Sequence, residues 1–149
     1  MNYFIVSTFI AFIVGFAFSQ SGDKDVLKEY RWKNRPILLF APSKADSTFQ
    51  QIEKNIKDLR NELDDRHIVL FKLFTDGNSS AGDTLFDQET AAKLYRVYNV
   101  NPEVVTLVLI GKDGGEKLRQ QNEEIDFQTV FDRIDAMPMR RREMQNRNR

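Results

Sequence analysis

Hydrophobic and polar positions along residues 31–139 alternate between short apolar runs and helical stripes. Residues 37–40 and 66–74 are runs rich in branched and aromatic side chains, which is typical of buried strands. Between them one apolar stripe recurs every three or four positions and predicts a single amphipathic helix: Phe49, Ile52, Ile56, Leu59 and Leu63. We expect Ser47 to cap this helix, because Ser47 and Gln50 have the spacing of a capping box.

The second half of the chain continues the alternation. Residues 76–87 are polar and are expected to form a long flexible loop. The pattern then predicts a helix over 88–98 that stops at Asn99, strands over 104–110 and 116–120, and a helix that begins at Asp126 and is interrupted at Pro138. The order β-α-β-α-β-β-α predicts an α/β fold, a three-layer sandwich with a mixed central sheet and a parallel pairing across the first helix.

An uncharged apolar run at residues 3–18 ends in the small-residue pattern that a signal peptidase reads. From these patterns we expect a signal peptide at 1–19, a linker at 20–30, one domain at 31–139 and a basic C-terminal tail at 140–149. An uncleaved membrane anchor is the alternative interpretation of the apolar run. In either case we expect the folded part outside the cytoplasm, secreted or periplasmic.

Charge and residue content exclude several chemistries. The chain has 22 basic and 22 acidic residues, yet the segment 140–149 holds five arginines and one glutamate, so positive charge is concentrated at the C-terminus. The chain contains no cysteine, which excludes thiol redox activity because a hydroxyl cannot perform thiol exchange. His67 is the only histidine, which argues against a multi-histidine metal site or a Ser-His mechanism, and we expect it to be a partly exposed polar residue.

Three segments carry a resemblance to a known family: residues 36–42 (PILLFAP), residues 109–114 (LIGKDG) with Lys117, and residues 134–144 (IDAMPMRRREM). In these segments the chain resembles the thioredoxin-like domain of unknown function 4174. That domain occurs in sushi-repeat-containing and coiled-coil-domain-containing extracellular matrix proteins and in secreted bacterial proteins. The resemblance spans about residues 31–144 and implies a thioredoxin-like fold, with a secreted or matrix-associated role and no established reaction.

The residues that carry thioredoxin chemistry have no counterparts here. By alignment, the two thiols would follow the first strand near Lys44 and Ser47, and the proline opposite them is replaced by Val105. We therefore expect a scaffold without the thiol reaction.

The arginines Arg140, Arg141 and Arg142 are candidate binding residues for a polyanion such as a sulfated glycan, because each guanidinium presents a fork suited to sulfate or phosphate. Two alternatives stay open. The segment could be a solvated, fraying terminus, or the arginines could be structural and pair with acids such as Asp132 and Asp135.

Lys112 in the last hairpin is a further candidate anion ligand, although a strand-strand turn lacks the helix N-terminus of a phosphate loop. Asn78 begins an Asn-Ser-Ser glycosylation acceptor, relevant only in a eukaryotic host. We predict no cofactor, no metal site and no nucleic-acid partner, and a membrane contact only if the N-terminal segment is not cleaved. The predicted function is a non-catalytic interaction module with a protein or polyanionic partner. The alternative is a thiol-free enzyme that uses carboxylates in a cleft.

Overall fold

The computed structural model describes residues 26–147, so the predicted signal peptide and most of the predicted linker lie outside the described residues. The strands are β1 Arg35–Ala41, β2 Ile68–Phe74, β3 Ser79–Ala81, β4 Thr84–Phe86, β5 Thr106–Ile110 and β6 Glu116–Gln121. The helices are α1 Ser47–Asp58, α2 Arg60–Asp65, α3 Gln88–Val97, α4 Phe127–Asp135 and α5 Pro138–Arg147, with short 3₁₀ turns at Lys28–Tyr30 and Asn122–Glu124.

The six strands form one mixed sheet in the order β4-β3-β2-β1-β5-β6. β1 and β2 run parallel and are joined by α1 and α2, as predicted, and the other neighbours are antiparallel. β5 lies between β1 and β6, which agrees with its uninterrupted apolar sequence. The predicted α/β class with a mixed central sheet is confirmed.

β1 is buried along its whole length and contributes to two cores because successive side chains point to opposite faces. Ile37 and Leu39 belong to the cluster that includes residues of α1, α2 and α4. Leu38 and Phe40 belong to the cluster on the other side, under α3. The sheet is therefore the middle layer of three.

Helix boundaries differ from prediction at two places. Asp46, not Ser47, caps α1: its Oδ1 accepts from the Phe49 N–H at 2.9 Å, and a carboxylate also interacts favourably with the helix dipole. The predicted single helix is broken at Leu59 (φ −97°, ψ 7°), whose N–H bonds to the Ile56 carbonyl three residues back instead of four. The apolar stripe continues through the break, since Leu63 is also buried.

The predicted long loop at 76–87 is wrong, because it contains the β3–β4 hairpin. Gly82 turns the chain at φ +53°, a conformation that glycine adopts without steric cost. The Ser79 hydroxyl accepts from the Phe74 N–H at 2.9 Å, and Phe86 stacks on Phe71 with ring centroids 5.6 Å apart. A buried side-chain hydrogen bond and an aromatic stack thus order a segment whose composition is typical of loops.

The last two helices contain most of the motif at residues 134–144. Asp126 caps α4 as predicted, and the apolar face of α4 is buried in the core. α4 ends at Asp135, and Pro138 then begins α5, consistent with proline's preference for a first helical turn.

Asn99 follows α3 and has φ 49°, so it is the left-handed stop that the sequence predicts there. Within residues 26–147 no helix has the length and apolar content to cross a bilayer.

Candidate functional site

β2 is parallel and β5 antiparallel to β1. The N-terminal ends of β1 and β2 and the C-terminal end of β5 therefore lie side by side along one edge of the sheet, the edge formed by strand ends. α5 reaches this edge through side chains of its inward face, spaced three and four residues apart: Arg140, Glu143 and Arg147. Two groups of ion pairs fasten the helix there. We call them the Glu143 cluster and the Asp65–Asp135 cluster.

The Glu143 cluster joins α5 to β1 and to the β5–β6 turn. Arg35, only 1% exposed, donates from both terminal nitrogens to the two Glu143 carboxylate oxygens, each at 3.2 Å. Lys112, 8% exposed, donates to Glu143 Oε1 at 2.7 Å. A bidentate arginine pair with a further ammonium donor is a strong and directional arrangement. Glu143 is therefore a shared counterion for two nearly buried cations.

His67 lies at the edge of this cluster with its side chain half exposed, as predicted. The Lys112 ammonium lies 3.0 Å from His67 Nδ1, and because an ammonium can only donate, Nδ1 must accept. Burial and the charge of Lys112 lower the pKa of His67 from its usual value, and Glu143 opposes them. Both effects favour the neutral imidazole. Among residues 26–147 no group of three or more metal-ligating side chains is assembled.

The Asp65–Asp135 cluster joins α5 to α2 and α4. Arg140 Nε donates to Asp135 at 3.0 Å, and its terminal nitrogens bond the carbonyl and the carboxylate of Asp65. Arg66 donates to Asp135 at 2.7 Å and lies over the Phe131 ring, 4.5 Å from its centroid. The structural alternative for Arg140 is thereby confirmed for Asp135. It is wrong for Asp132, which accepts from the Gln128 side chain instead.

The carboxylates of both clusters are stabilised in their charged form. The pKa of Asp65 is lowered, above all by the hydrogen bond from Arg147. Burial raises the pKa of Asp135 and of Glu143, but hydrogen bonds from their cationic partners more than offset it and hold both below their usual values. Proton-transfer catalysis near neutral pH would need a carboxyl group with a raised pKa. These acids act as counterions.

An open cavity of about 450 Å³ adjoins the Glu143 cluster; we call it the hairpin cavity. Its wall is formed by Arg35, by Gly111–Asp113 and Lys117 of the β5–β6 hairpin, by Arg133 of α4 and by residues 136–139, which link α4 to α5 and begin α5. Lys117 crosses the turn to pair with Asp113 at 2.7 Å. Gly111 allows this crossing, since a Cβ there would lie 2.5 Å from Lys117 Cε.

The predicted binding residues fall into two groups. Arg140 and Lys112 are buried and committed to the ion pairs above. Arg141 and Arg142 are exposed on α5, and neither has a carboxylate partner within residues 26–147. Asn78 is exposed in the turn before β3.

Sequence reasoning missed Arg35, Arg66 and Glu143 as members of the clusters. The one available signal was an arginine at the start of a strand that is otherwise apolar. The partners themselves could not be named from sequence, because Arg35 and Glu143 are 108 positions apart.

The positions aligned with thioredoxin thiols lie at the other end of β1, about 20 Å away at 3.3 Å per strand residue. Lys44 there lies over the Phe74 ring at 5.6 Å, and Ser47 is the first residue of α1. Val105 is buried, and no cis peptide bond occurs in the described part of the chain. The motif 134–144 and the ion-pair clusters are therefore remote from Lys44 and Ser47, where the resemblance would place thiol chemistry.

Comparison with known proteins identifies the family. The chain is 24% identical over 143 aligned residues to "Coiled-coil domain-containing protein 80" of Danio rerio. The alignment covers 81% of this chain but only 16% of that relative, so the chain corresponds to a small part of it. A family model matches residues 26–143, which include the Glu143 cluster, the hairpin cavity and all of the Asp65–Asp135 cluster except Arg147. The chain belongs to the family described as Domain of unknown function (DUF4174).

Proposed function

We propose that this protein is a non-catalytic interaction module that acts outside the cytoplasm and binds a polyanionic partner, such as a sulfated glycan of the matrix, through the exposed arginines of α5. The apolar run at residues 3–18 supports the location, and the resemblance to secreted domains agrees with it. The thioredoxin-like scaffold serves here as a rigid support for a basic helix.

The observation that carries the proposal is that some arginines of α5 pair with carboxylates of the domain while others face solvent. Arg140, which is buried, and Arg147, whose side chain is 56% exposed, pair with carboxylates of α2 and α4 and hold the helix to the domain. The other two arginines of α5, Arg141 and Arg142, are exposed, and their guanidinium groups are available to solvent. Because the helix is fastened, less side-chain and backbone freedom is lost when a partner binds these arginines than would be lost by a fraying tail.

Two observations favour binding over catalysis. Every Asp or Glu pKa that departs from its usual value within residues 26–147 is lowered. The acids near the hairpin cavity are occupied by cations, and no carboxyl group there is held protonated. An enzyme that uses two carboxyl groups as acid and base keeps one neutral beside one charged.

Heparin chromatography over a salt gradient tests the proposal. We expect the wild-type protein to elute late and the double variant Arg141→Ala/Arg142→Ala to elute at clearly lower salt, because each phosphate- or sulfate-pairing cation releases counterions on binding. The double variant Arg60→Ala/Arg96→Ala is the matched control: it removes two other exposed arginines, from α2 and α3.

The control should elute near the wild type if α5 is the binding surface. If both double variants shift equally, retention reflects overall charge and the proposed surface is wrong. If the wild type passes through the column at low salt, the polyanion proposal fails.

A further inference from the structure

The hairpin cavity has a chemical character distinct from that of the outer arginines of α5. Its volume of about 450 Å³ falls within the range of about 300–1,000 Å³ that is usual for small-molecule sites. It lies beside the Glu143 cluster, so its wall contains side chains that are fixed by ion pairs. Such fixed walls favour a preformed site.

Positive charge exceeds negative charge around this cavity. Four cations line it: Arg35, Lys112, Lys117 and Arg133. Within the part of the chain that the structure describes, two carboxylates compensate them: Asp113, which pairs with Lys117, and Glu143, which is shared between Arg35 and Lys112.

Two arginines that line the cavity keep unused hydrogen-bonding capacity. The buried Nε of Arg35 has no hydrogen-bond acceptor within residues 26–147, although the side chain is only 1% exposed and its terminal nitrogens pair with Glu143. Arg133 is exposed and has no carboxylate partner among the described residues; its Nε donates to the Lys117 carbonyl at 3.2 Å. A ligand carboxylate could therefore pair with the Arg133 guanidinium without displacing an existing ion pair.

Another part of the wall is apolar. It is formed by the end of the α4–α5 link and the start of α5, where Met137 is partly buried against the core and Met139 is 37% exposed. Methionine side chains adapt to the shape of an apolar ligand because they are flexible and polarizable. An inorganic anion would leave these side chains uncovered.

We propose that the hairpin cavity binds a small organic anion in which a carboxylate is joined to an apolar chain. The carboxylate pairs with Arg133 and with the excess positive charge near Lys112, and the apolar chain lies against Met137 and Met139. This site is independent of the proposed polyanion surface, since it uses neither Arg141 nor Arg142.

Isothermal titration calorimetry of the whole protein with octanoate, octanol and sulfate tests the proposal. Octanoate is expected to bind saturably, and at least tenfold more tightly than either of the other two, because only octanoate satisfies the cations and covers the methionines. Octanol binding equal to octanoate would show that the cations are not used, and equal sulfate binding would show a general anion site. Either result, or no octanoate binding, overturns the proposal.

Variants assign the binding to the cavity. Arg133→Ala should weaken octanoate binding about tenfold or more, which corresponds to the loss of one charge-assisted hydrogen bond. Met139→Ser should weaken octanoate binding but leave any sulfate binding unchanged. Arg141→Ala is the matched control and should leave octanoate affinity unchanged. Circular dichroism verifies that each variant is folded. Unchanged octanoate affinity in a folded Arg133→Ala variant would overturn the proposal, whatever the heparin result.

Discussion

Replacing Glu143 with glutamine removes the negative charge that Arg35 and Lys112 share. The amide keeps the shape of the carboxylate, but its nitrogen cannot accept a hydrogen bond from either cation. Removing one partner of a buried ion pair costs about 3–5 kcal/mol, because the remaining charge is left uncompensated. The Glu143 side chain is 20% exposed, so water can reach the site, and we expect a loss near the lower end, about 3 kcal/mol.

Urea unfolding followed by circular dichroism measures this loss. Glu116→Gln is the matched control: Glu116 pairs with Arg119 at 2.9 Å, and both side chains are about one-third exposed. Exposed pairs contribute about 0.2–1 kcal/mol. A difference between the two variants of less than about 0.5 kcal/mol would refute the reasoning that the Glu143 cluster fastens α5.

The pH dependence provides a second test of the same variant. The pKa of Glu143 in the folded protein lies below its usual value, so its contribution to stability is present above the pKa of the unfolded chain. The contribution is lost as pH falls through the folded pKa. The stability difference between wild type and Glu143→Gln should therefore be complete at neutral pH and shrink below about pH 4.3. A difference that is constant from pH 7 to pH 2 would contradict an ionic origin.

Three further predictions concern other parts of the molecule. Arg140→Ala should lower the free energy of unfolding by about 2–3 kcal/mol, because it leaves the partly buried carboxylates of Asp65 and Asp135 with one cation fewer. Arg141→Ala should change the free energy of unfolding by less than about 0.5 kcal/mol, and thermal unfolding compares the two variants. Asp46→Ala should cost about 1 kcal/mol in urea unfolding through loss of the α1 cap. The pKa of His67, followed by NMR, should lie below 6.5 and fall further in Glu143→Gln, since Glu143 raises it.

Each of these predictions has a contrary outcome. Equal melting temperatures for Arg140→Ala and Arg141→Ala would mean that Arg140 does not anchor α5. Ser47→Ala should be nearly neutral, and a cost equal to that of Asp46→Ala would contradict the assignment of the cap. Because the protein has a single histidine, its NMR signal is unambiguous, and a rise of the His67 pKa in the Glu143 variant would contradict the described geometry.

Local patterns predicted the layers of the fold well. The continuous apolar run of β1 and the apolar face of α4 are properties of neighbouring residues, so the sequence pattern finds them. The break at Leu59 was missed because a continuous apolar stripe crosses it. The β3–β4 hairpin was missed because it is ordered by tertiary contacts, namely the Ser79 hydrogen bond and the Phe71–Phe86 stack.

The ion-pair clusters were only partly predictable. The pairing of Arg140 with Asp135 is local, five positions apart, and could be proposed from their closeness in the sequence. The contact of Arg140 with Asp65 spans 75 positions, and that of Arg35 with Glu143 spans 108. Such partners are decided by the sheet register and by the docking of α5, which no periodicity encodes. The basic segment could therefore be recognised from the sequence, but its structural arginines could not be distinguished from its exposed ones.

The proposed role of α5 is that of a fastened helix that presents Arg141 and Arg142 to an anionic partner. Two-dimensional NMR of the ¹⁵N-labelled protein titrated with a heparin-derived oligosaccharide tests this directly. We expect chemical-shift changes to concentrate on α5, with the largest changes at these two arginines and small ones around Ala41–Ser47. Changes concentrated at the C-terminal end of β1, or no saturable change at all, would contradict it.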